Sequence, residues 1–163
     1  MKDSLPLDIK NIGNSINTYN SELGATLIND TMLIYSSLRD EKMKDDNEVS
    51  DTSQYLVRLF KATKNGELWQ QDSKLEEKIN EQGFHIANGS IDKAGTTFYY
   101  NKCDNNFNCK IYAISFVDNT WGEPTEVTNV NQENSTATQP FIAEVYNQEV
   151  LFLALTEKVE KVE

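Results

Sequence analysis

The chain has 163 residues, which is enough for one ordinary domain and too few for two full-sized ones. Its 26 acidic and 15 basic side chains give a formal charge of -11. That balance argues against binding to nucleic acid or to anionic lipid, because both need a basic face. The 7 Phe, 7 Tyr and 2 Trp residues are too many for a disordered acidic tail.

The sequence predicts no insertion into a membrane. Its longest apolar run, Val150–Leu155, has six residues, which is too short to span a bilayer. Met1 is followed by Lys2, Asp3 and Ser4 instead of an apolar segment, so we expect no signal peptide within this numbering. A secreted origin stays open, because the sequence can be one piece of a longer protein.

Short runs rich in Tyr, Phe, Ile, Val and Thr predict β-strands, and Asn, Asp, Gly and Ser between them predict turns. In chain order the clearest strands are 33–37, 58–62, 98–102, 110–116 and 151–155. A turn at Ser90–Gly95 leads into the third strand, and Gly95 can take the positive φ of a tight turn. Helical periodicity is weak, so the sequence predicts an all-β fold.

Two charged stretches interrupt or follow this pattern. The residues between Leu38 and Gln54 include six acidic and three basic side chains without an apolar period, which predicts a solvated loop. Residues 156–163 are also charged and are expected to form a tail that carries no core. The expected organisation is therefore a lead-in at 1–14, a β-domain at 15–155 and a tail at 156–163.

The chain contains an internal repeat at a spacing of 52 residues. Leu59–Ala62 is followed by a polar turn and Trp69, and Ile111–Ile114 is followed by a polar turn and Trp121. An Ile-Asn or Val-Asn pair and then an apolar strand also recur three times along the chain. The pairs are 16–17, 79–80 and 130–131, and the strands are 33–35, 98–100 and 151–153.

Units of about fifty residues with about four short strands have the size of a β-propeller blade. We therefore expect a partial β-propeller of about two and a half blades, at 15–78, 79–129 and 130–155. A blade buries its faces against its neighbours, so aromatic residues are expected to pack between blades. These are Tyr35, Phe60, Trp69, Tyr99, Tyr112, Trp121 and Phe152.

The two cysteines, Cys103 and Cys109, flank a polar loop between two strand-like runs. Two Cys and a single His, His85, do not make up a zinc site. A local disulfide fits this spacing in an oxidising compartment. Two unpaired thiols are the alternative.

No combination of reactive residues in the sequence predicts catalysis. His85 has no Ser or Cys motif beside it, so a structural role is expected. Paired carboxylates such as Asp45–Asp46 and Glu76–Glu77 lie in polar stretches that are typical of solvated surface. The acidic stretch at 40–51 lacks the ligand spacing and central Gly of an EF-hand loop. We therefore expect no catalytic residue, no cofactor and no metal site.

Taken together, several segments resemble the WD-like β-propeller repeat of the TolB type, in the version found in OmpA-like envelope proteins of Bacteroidota. The resemblance covers about residues 9–155, and the segments that carry it are Ser90–Asp92, Gly95–Tyr100, Leu59–Thr63, Trp121–Pro124 and Thr138–Ile142. The chain departs from the family at Ile28–Thr31, where a Ser-x-Asp-Gly turn is expected. It also departs in the third unit, which ends after one pair of strands.

The resemblance implies a non-catalytic protein-interaction scaffold of the periplasm or the outer membrane. Its partners would be envelope proteins, such as outer-membrane or type IX secretion components. Because closed propellers have at least four blades, the resemblance also implies completion by missing blades or by another chain. The alternative is a carbohydrate-binding or glycoside-processing propeller module, in which Trp69 and Trp121 would stack on sugars instead of packing.

Overall fold

A computed structural model of the chain describes residues 9–42 and 55–157. These residues form eleven β-strands and contain no helix. Every strand pairing among them is antiparallel. The predicted all-β class is therefore confirmed.

The strands form three sheets in the order in which they occur along the chain. Sheet 1 contains β1 (Glu22–Asn29), β2 (Met32–Lys42), β3 (Tyr55–Asn65) and β4 (Leu68–Lys74). Sheet 2 contains β5 (His85–Ile91), β6 (Thr97–Cys103), β7 (Cys109–Val117), β8 (Thr120–Trp121) and β9 (Thr125–Glu126). Within the described residues, sheet 3 contains β10 (Ser135–Val145) and β11 (Gln148–Glu157). Neighbouring strands in a sheet are consecutive in sequence, except that β9 pairs with β7.

Tight turns with left-handed backbone join several of these strands. Asp118 and Asn119 have φ angles of 50° and 60° between β7 and β8, and Tyr146 and Asn147 have φ angles of 50° and 61° between β10 and β11. Positive φ at both central residues matches the right-handed twist of a β-hairpin. Gly95 has a φ of 71° in the turn between β5 and β6, as its place in the sequence predicts.

One apolar cluster fills the space between sheets 1 and 2. Ile34 and Leu59 enter it from sheet 1 and Phe98 enters it from sheet 2, and all three are fully buried. Burial of each such side chain stabilises the fold by about 1.5–3 kcal/mol. The other buried members are Ile28, Leu75, Ile79, Ile86, Tyr100, Ile114, Phe116 and Trp121.

A smaller cluster covers the opposite face of sheet 1. Side chains alternate between the two faces of a strand, so Leu33 and Tyr35 of β2 point away from Ile34. Ile16 and Ile12 of the lead-in lie over them. The remaining members are Phe60, Ala62 and the partly buried Trp69.

Sheet 3 packs against sheet 2 through β10, which contacts β5, β6 and β7. The Ile142 N–H donates a hydrogen bond to Ser90 Oγ at 3.0 Å. The backbone N–H of Lys93 donates to the Glu149 carboxylate, and the Lys93 ammonium pairs with Glu144. Sheet 2 therefore lies between sheets 1 and 3.

The first strands of sheets 1 and 2 approach each other closely at a glycine. Gly24 of β1 has a φ of 61°, and a Cβ placed on it would lie 2.6 Å from Asn88 Oδ1 of β5. The Thr26 hydroxyl donates to the Gly89 carbonyl beside this contact. Only glycine fits this position without moving the two sheets apart.

Two asparagine side chains hold the segments that follow sheets 1 and 2. Asn80 accepts a hydrogen bond from the Leu59 N–H at 2.9 Å and donates to the carbonyls of Leu59 and Leu75. Asn131 makes the corresponding bonds to the N–H and the carbonyl of Ile111, both at 2.8 Å. Each carboxamide thereby accepts from the N–H of a third strand and donates to the carbonyl of the same residue, which also accepts from the N–H of Leu75 or of Val127.

The structure shifts two of the predicted boundaries. The expected solvated loop between Leu38 and Gln54 begins later, because β2 continues to Lys42; residues 43–54 lie outside the described part. The expected tail at 156–163 also begins later, because β11 continues to Glu157. Residues 158–163 and 1–8 are likewise not among those described.

Arg39 was expected in the solvated loop, and this expectation is wrong. Its side chain is 10 % exposed and pairs with the Glu22 carboxylate at 3.0 Å. The guanidinium also donates to the Ile16 carbonyl and lies 5.3 Å from the centroid of the Tyr35 ring. The extension of β2 brings Arg39 over the outer face of sheet 1, where Glu22 compensates its charge.

The asparagine contacts predict unequal effects on stability. We expect Asn80→Ala to lower the free energy of unfolding by about 2–3 kcal/mol, because the Leu59 N–H and the Leu75 carbonyl both lose the Asn80 side chain as their partner. Asn17→Ala is the matched control, because Asn17 is exposed and, within the ranges 9–42 and 55–157, its side chain bonds to that of Asn11 and to no backbone group. Urea denaturation measures both variants, and equal losses would contradict this role of Asn80.

Candidate protein-interaction surface

Sheet 3 exposes apolar side chains on the face turned away from sheet 2. Phe141 of β10 is 60 % exposed, and Phe152, directly opposite it on β11, is 48 % exposed. Tyr146 is 96 % exposed in the turn between β10 and β11. Leu155 is 42 % exposed near the end of β11 but, by alternation with Phe152, belongs to the opposite face of the sheet. Adjacent exposed apolar residues of this kind mark interaction surfaces more often than isolated ones do.

The outer edge of β11 is also open. Within the described residues β11 pairs with β10 alone, and the six residues Val150–Leu155 are all apolar. Natural proteins usually protect a sheet edge with Lys, Pro, a bulge or a very short strand. β11 has ten residues, and this run contains neither Lys nor Pro.

The direction of one hydrogen bond shows which backbone groups face this edge. The Ile142 N–H points to Ser90 Oγ and therefore away from β11. Ile142 lies opposite Leu151, so these two residues form a non-hydrogen-bonded antiparallel pair. The N–H and C=O of Leu151 consequently face outward, and by alternation so do those of Leu153 and Leu155.

Most of the predicted packing aromatics lie in or against the clusters described above. Tyr35 and Phe60 are buried with their ring centroids 5.9 Å apart, and Trp69 packs beside them. These three residues lie on the outer face of sheet 1, where the lead-in covers them instead of the second sheet that was expected. Trp121 is buried against Phe98 and Phe116. The other two residues of this group are less buried: Tyr112 packs against the cluster between sheets 1 and 2, and Tyr99 is half-buried on sheet 2.

Phe152 differs from the others. We expected the strand at 151–155 to be as well buried as those at 33–37 and 98–102, yet Phe152 and Leu155 are exposed. The reason is that neither a third strand nor a further sheet covers β11 in the part of the chain that the structure describes. Phe152 is therefore part of the exposed face.

Cys103 and Cys109 lie directly opposite each other at the ends of β6 and β7, and their sulfur atoms are bonded. The bond closes the loop 104–108. The Asp104 carboxylate accepts hydrogen bonds from the backbone N–H groups of Asn106 and Asn108 within this loop. A short loop with this many internal bonds holds one end of the β6–β7 hairpin in place.

A groove of about 330 Å³ opens beside the disulfide and the start of β10. The Lys102 ammonium lies 4.1 Å from the centroid of the Phe84 ring and 5.1 Å from that of Tyr112. Lys102 also pairs with Glu81. The aromatic faces that could stack on a sugar are therefore already in contact with a cation. The rest of the lining is Asp104, Asn108, Cys109, Lys110, Glu133 and Ser135.

Two carboxylates with shifted pKa values have structural partners. Burial opposes ionisation of Glu22, but hydrogen bonds from Thr18 and Arg39 help to hold its pKa below the usual value. Burial likewise opposes ionisation of Asp92, and hydrogen bonds from Thr96 help to lower its pKa. A catalytic general acid needs the opposite shift, so these two groups are anionic anchors of the fold.

His85 is buried at the start of β5. Its Nδ1 accepts a hydrogen bond from the Val57 N–H at 3.3 Å, and its ring stacks on Phe107 with the centroids 5.4 Å apart. Burial, together with the positive charge of Arg58, lowers the pKa of His85. A neutral imidazole that accepts a backbone bond supports the structural role expected for this residue.

Arg58 is fully buried, and the local sequence pattern does not predict this. Its guanidinium donates to the carbonyls of Glu81 and Phe84. These bonds join the linker between sheets 1 and 2 to β3. Arg58 and Arg39 therefore both act through backbone carbonyls that are distant in sequence.

The described residues were also compared with two common structural patterns, the membrane-spanning helix and the metal-binding cluster. No helix in the described ranges is long and apolar enough to cross a membrane. Among those same residues, no three His, Cys, Asp or Glu side chains come close enough together to hold a metal ion.

Comparison with known proteins gives no family assignment. No family model matches the chain, and no curated protein matches it. Among solved structures, the chain is similar to the Hadza microbial sialidase Hz136 with a TM-score of 0.48 and 13 % identity. The superposition covers 90 % of this chain and 35 % of that one, so the chain spans about a third of the sialidase's length.

The lowered pKa of His85 predicts a pH-dependent stability. His85 has its ordinary pKa of 6.5 in the unfolded chain and a lower pKa in the folded chain. A proton therefore binds more tightly to the unfolded state. We therefore expect the folded state to lose stability as the pH falls from about 8 to about 5. His85→Gln should flatten this part of the profile and leave the carboxylate-dependent loss at lower pH. Equal slopes for both proteins in thermal denaturation would contradict the assignment.

Proposed function

We propose that the chain is a non-catalytic protein-interaction module with the architecture of a partial β-propeller. The observation that carries the proposal is the exposed apolar face of sheet 3, with Phe141 and Phe152 at its centre. Three consecutive antiparallel sheets, each packed on the next, fit the arrangement of propeller blades. Their four, five and two strands correspond to about two and a half blades.

Corresponding hydrogen bonds in successive sheets support a repeated blade unit. Asn80 and Asn131 bond to Leu59 and Ile111, which lie 52 residues apart in sequence. Between sheets, the Asn88 N–H donates to Ser36 Oγ and the Ile142 N–H donates to Ser90 Oγ, both at 3.0 Å. A contact made twice at nearly the same spacing is expected when a chain stacks similar units.

The proposed setting is the periplasm or the outer-membrane surface of a Bacteroidota cell, as the resemblance to OmpA-like envelope proteins implies. The bonded cysteines support an oxidising compartment. The proposed partners are envelope proteins, such as outer-membrane or type IX secretion components. The acidic balance of the chain supports a protein partner over nucleic acid.

Capture of binding partners tests this function. The tagged chain is incubated with an envelope extract of a Bacteroidota bacterium, and captured proteins are identified by mass spectrometry. We expect the double variant Phe141→Ser/Phe152→Ser to capture a specific partner about tenfold less or weaker still, because apolar residues at the centre of an interface contribute most of the binding energy. Leu68→Ser/Val117→Ser, which changes exposed apolar residues of the other sheets, should capture it normally.

Capture that is unchanged by the phenylalanine pair would contradict the proposed surface. The fold of both double variants is checked by their thermal transitions. Absence of any reproducible partner from the extract would contradict the scaffold function itself.

A carbohydrate-binding or glycoside-processing module is the second candidate. The groove beside the disulfide favours it, because aromatic and carboxylate side chains line the groove together. We place it second because Lys102 covers Phe84 and Tyr112, and because Trp121 is buried. Binding on a glycan array that Tyr112→Ala abolishes, or turnover of a reporter glycoside, would reverse this order.

A further inference from the structure

The charge of the chain is unevenly distributed along its length. Residues 111–157 contain seven acidic side chains and no Lys or Arg. This stretch includes all of sheet 3. The ammonium of Lys93, in the turn before β6, pairs with Glu144 of sheet 3, so one carboxylate of this sheet already has a cation from a neighbouring sheet as its partner. The backbone N–H of Lys93 donates to Glu149.

The third strands of the other two sheets carry basic residues. β3 contains Arg58, Lys61 and Lys64, and β7 contains Lys110, which pairs with Glu126 of β9. Sheet 3 has no third strand among the described residues, so it lacks the strand type that carries basic side chains in its neighbours.

We propose that the open edge of β11 binds an extended basic strand of a partner protein, which becomes the third strand of sheet 3. The inference deepens the proposed interaction function and rests on it. The backbone groups of Leu151, Leu153 and Leu155 face outward and supply the hydrogen bonds. Addition of a strand to an exposed sheet edge is a general mode of peptide recognition.

The chain itself indicates the side-chain pattern of the occupant. The strands that pair with β2 and β6 each place an aliphatic–aromatic dipeptide beside their partner, Leu59-Phe60 in β3 and Ile111-Tyr112 in β7. Each of these dipeptides has a basic residue immediately before it. The expected partner segment therefore has a basic residue, an aliphatic residue and an aromatic residue in sequence.

A second copy of this chain fits the edge less well. Each copy carries a formal charge of -11, and sheet 3 would face an equally acidic sheet across the new pairing. Opposite charges favour encounter and correct register, whereas like charges across an interface oppose both. The basic partner strand satisfies this condition and a second copy does not.

A substitution at Leu153 can test the open edge without removing the hydrogen bonds between β11 and β10. Leu153→Pro removes an outward N–H, and proline is tolerated on an edge strand when the missing N–H faced solvent. The bonds between β11 and β10 come from the residues on either side of Leu153 and are retained. Leu153→Ala is the matched control, because it shortens the same side chain and keeps the N–H.

The test uses the full chain and a labelled peptide with the sequence of Tyr55–Asn65, which has three basic and no acidic side chains. A second peptide has Glu at its three basic positions. Fluorescence anisotropy should show binding of the basic peptide to the wild-type chain and to Leu153→Ala. We expect at least about tenfold weaker binding to Leu153→Pro and to the acidic peptide, and weaker binding at high salt.

Several results would overturn the inference. These are no binding of the basic peptide, equal binding of the acidic peptide, and equal binding to Leu153→Pro. Concentration-dependent dimers that Leu153→Pro abolishes would assign the edge to a second copy instead. If Leu153→Pro lacks the wild-type thermal transition, NMR of the wild-type chain decides: the peptide must shift the amide signals of Leu151 and Leu153 and leave those of Gln70 on β4 unchanged.

The two proposals fail separately. Peptide binding at β11 without capture of any envelope protein would contradict the proposed function alone. Capture that depends on Phe141 and Phe152 but not on the N–H of Leu153 would contradict the edge inference alone.

Discussion

Phe98 lies fully buried between two sheets, and its packing there determines how the other parts of the molecule are placed. Its ring contacts Trp121 and occupies the space over Gly89, where a Cβ would lie only 2.0 Å from a ring atom. The cluster around it fixes sheet 1 on one face of sheet 2 and leaves the other face for β10. Asn80 and Arg58 hold the linker between the two sheets against β3.

Stacking of this kind has a direct consequence for function, because each sheet depends on the next one to cover it. Sheet 2 has neighbours on both faces, and the lead-in covers the outer face of sheet 1 through Ile12 and Ile16. Sheet 3 has sheet 2 on one side only in the described chain. Because sheet 3 is the last sheet of the described stack, Phe141 and Phe152 are exposed and the edge of β11 is open. These two features are the basis of the proposed interaction role.

The local sequence pattern was sufficient for the strands that it named, because alternation and turn residues depend on near neighbours. It did not distinguish Trp121, which packs between sheets 1 and 2, from Tyr35 and Phe60, which pack under the lead-in on the outer face of sheet 1. It could not predict the burial of Arg39, whose partner Glu22 is 17 residues away and whose charge suggested solvent. It also could not predict the exposure of Phe152. Six consecutive apolar residues have the same pattern whether or not another strand covers them, so the candidate surface became visible only from the sheet order.

Amide hydrogen exchange of the isolated chain, measured residue by residue by NMR, tests most directly that β11 is an open edge. An open edge predicts fast exchange at Leu151 and Leu153, whose N–H groups face outward, and slow exchange at Val150 and Phe152, whose N–H groups bond to β10. Equal protection of all four amides at low protein concentration would contradict it, because the outward groups would then have a partner already.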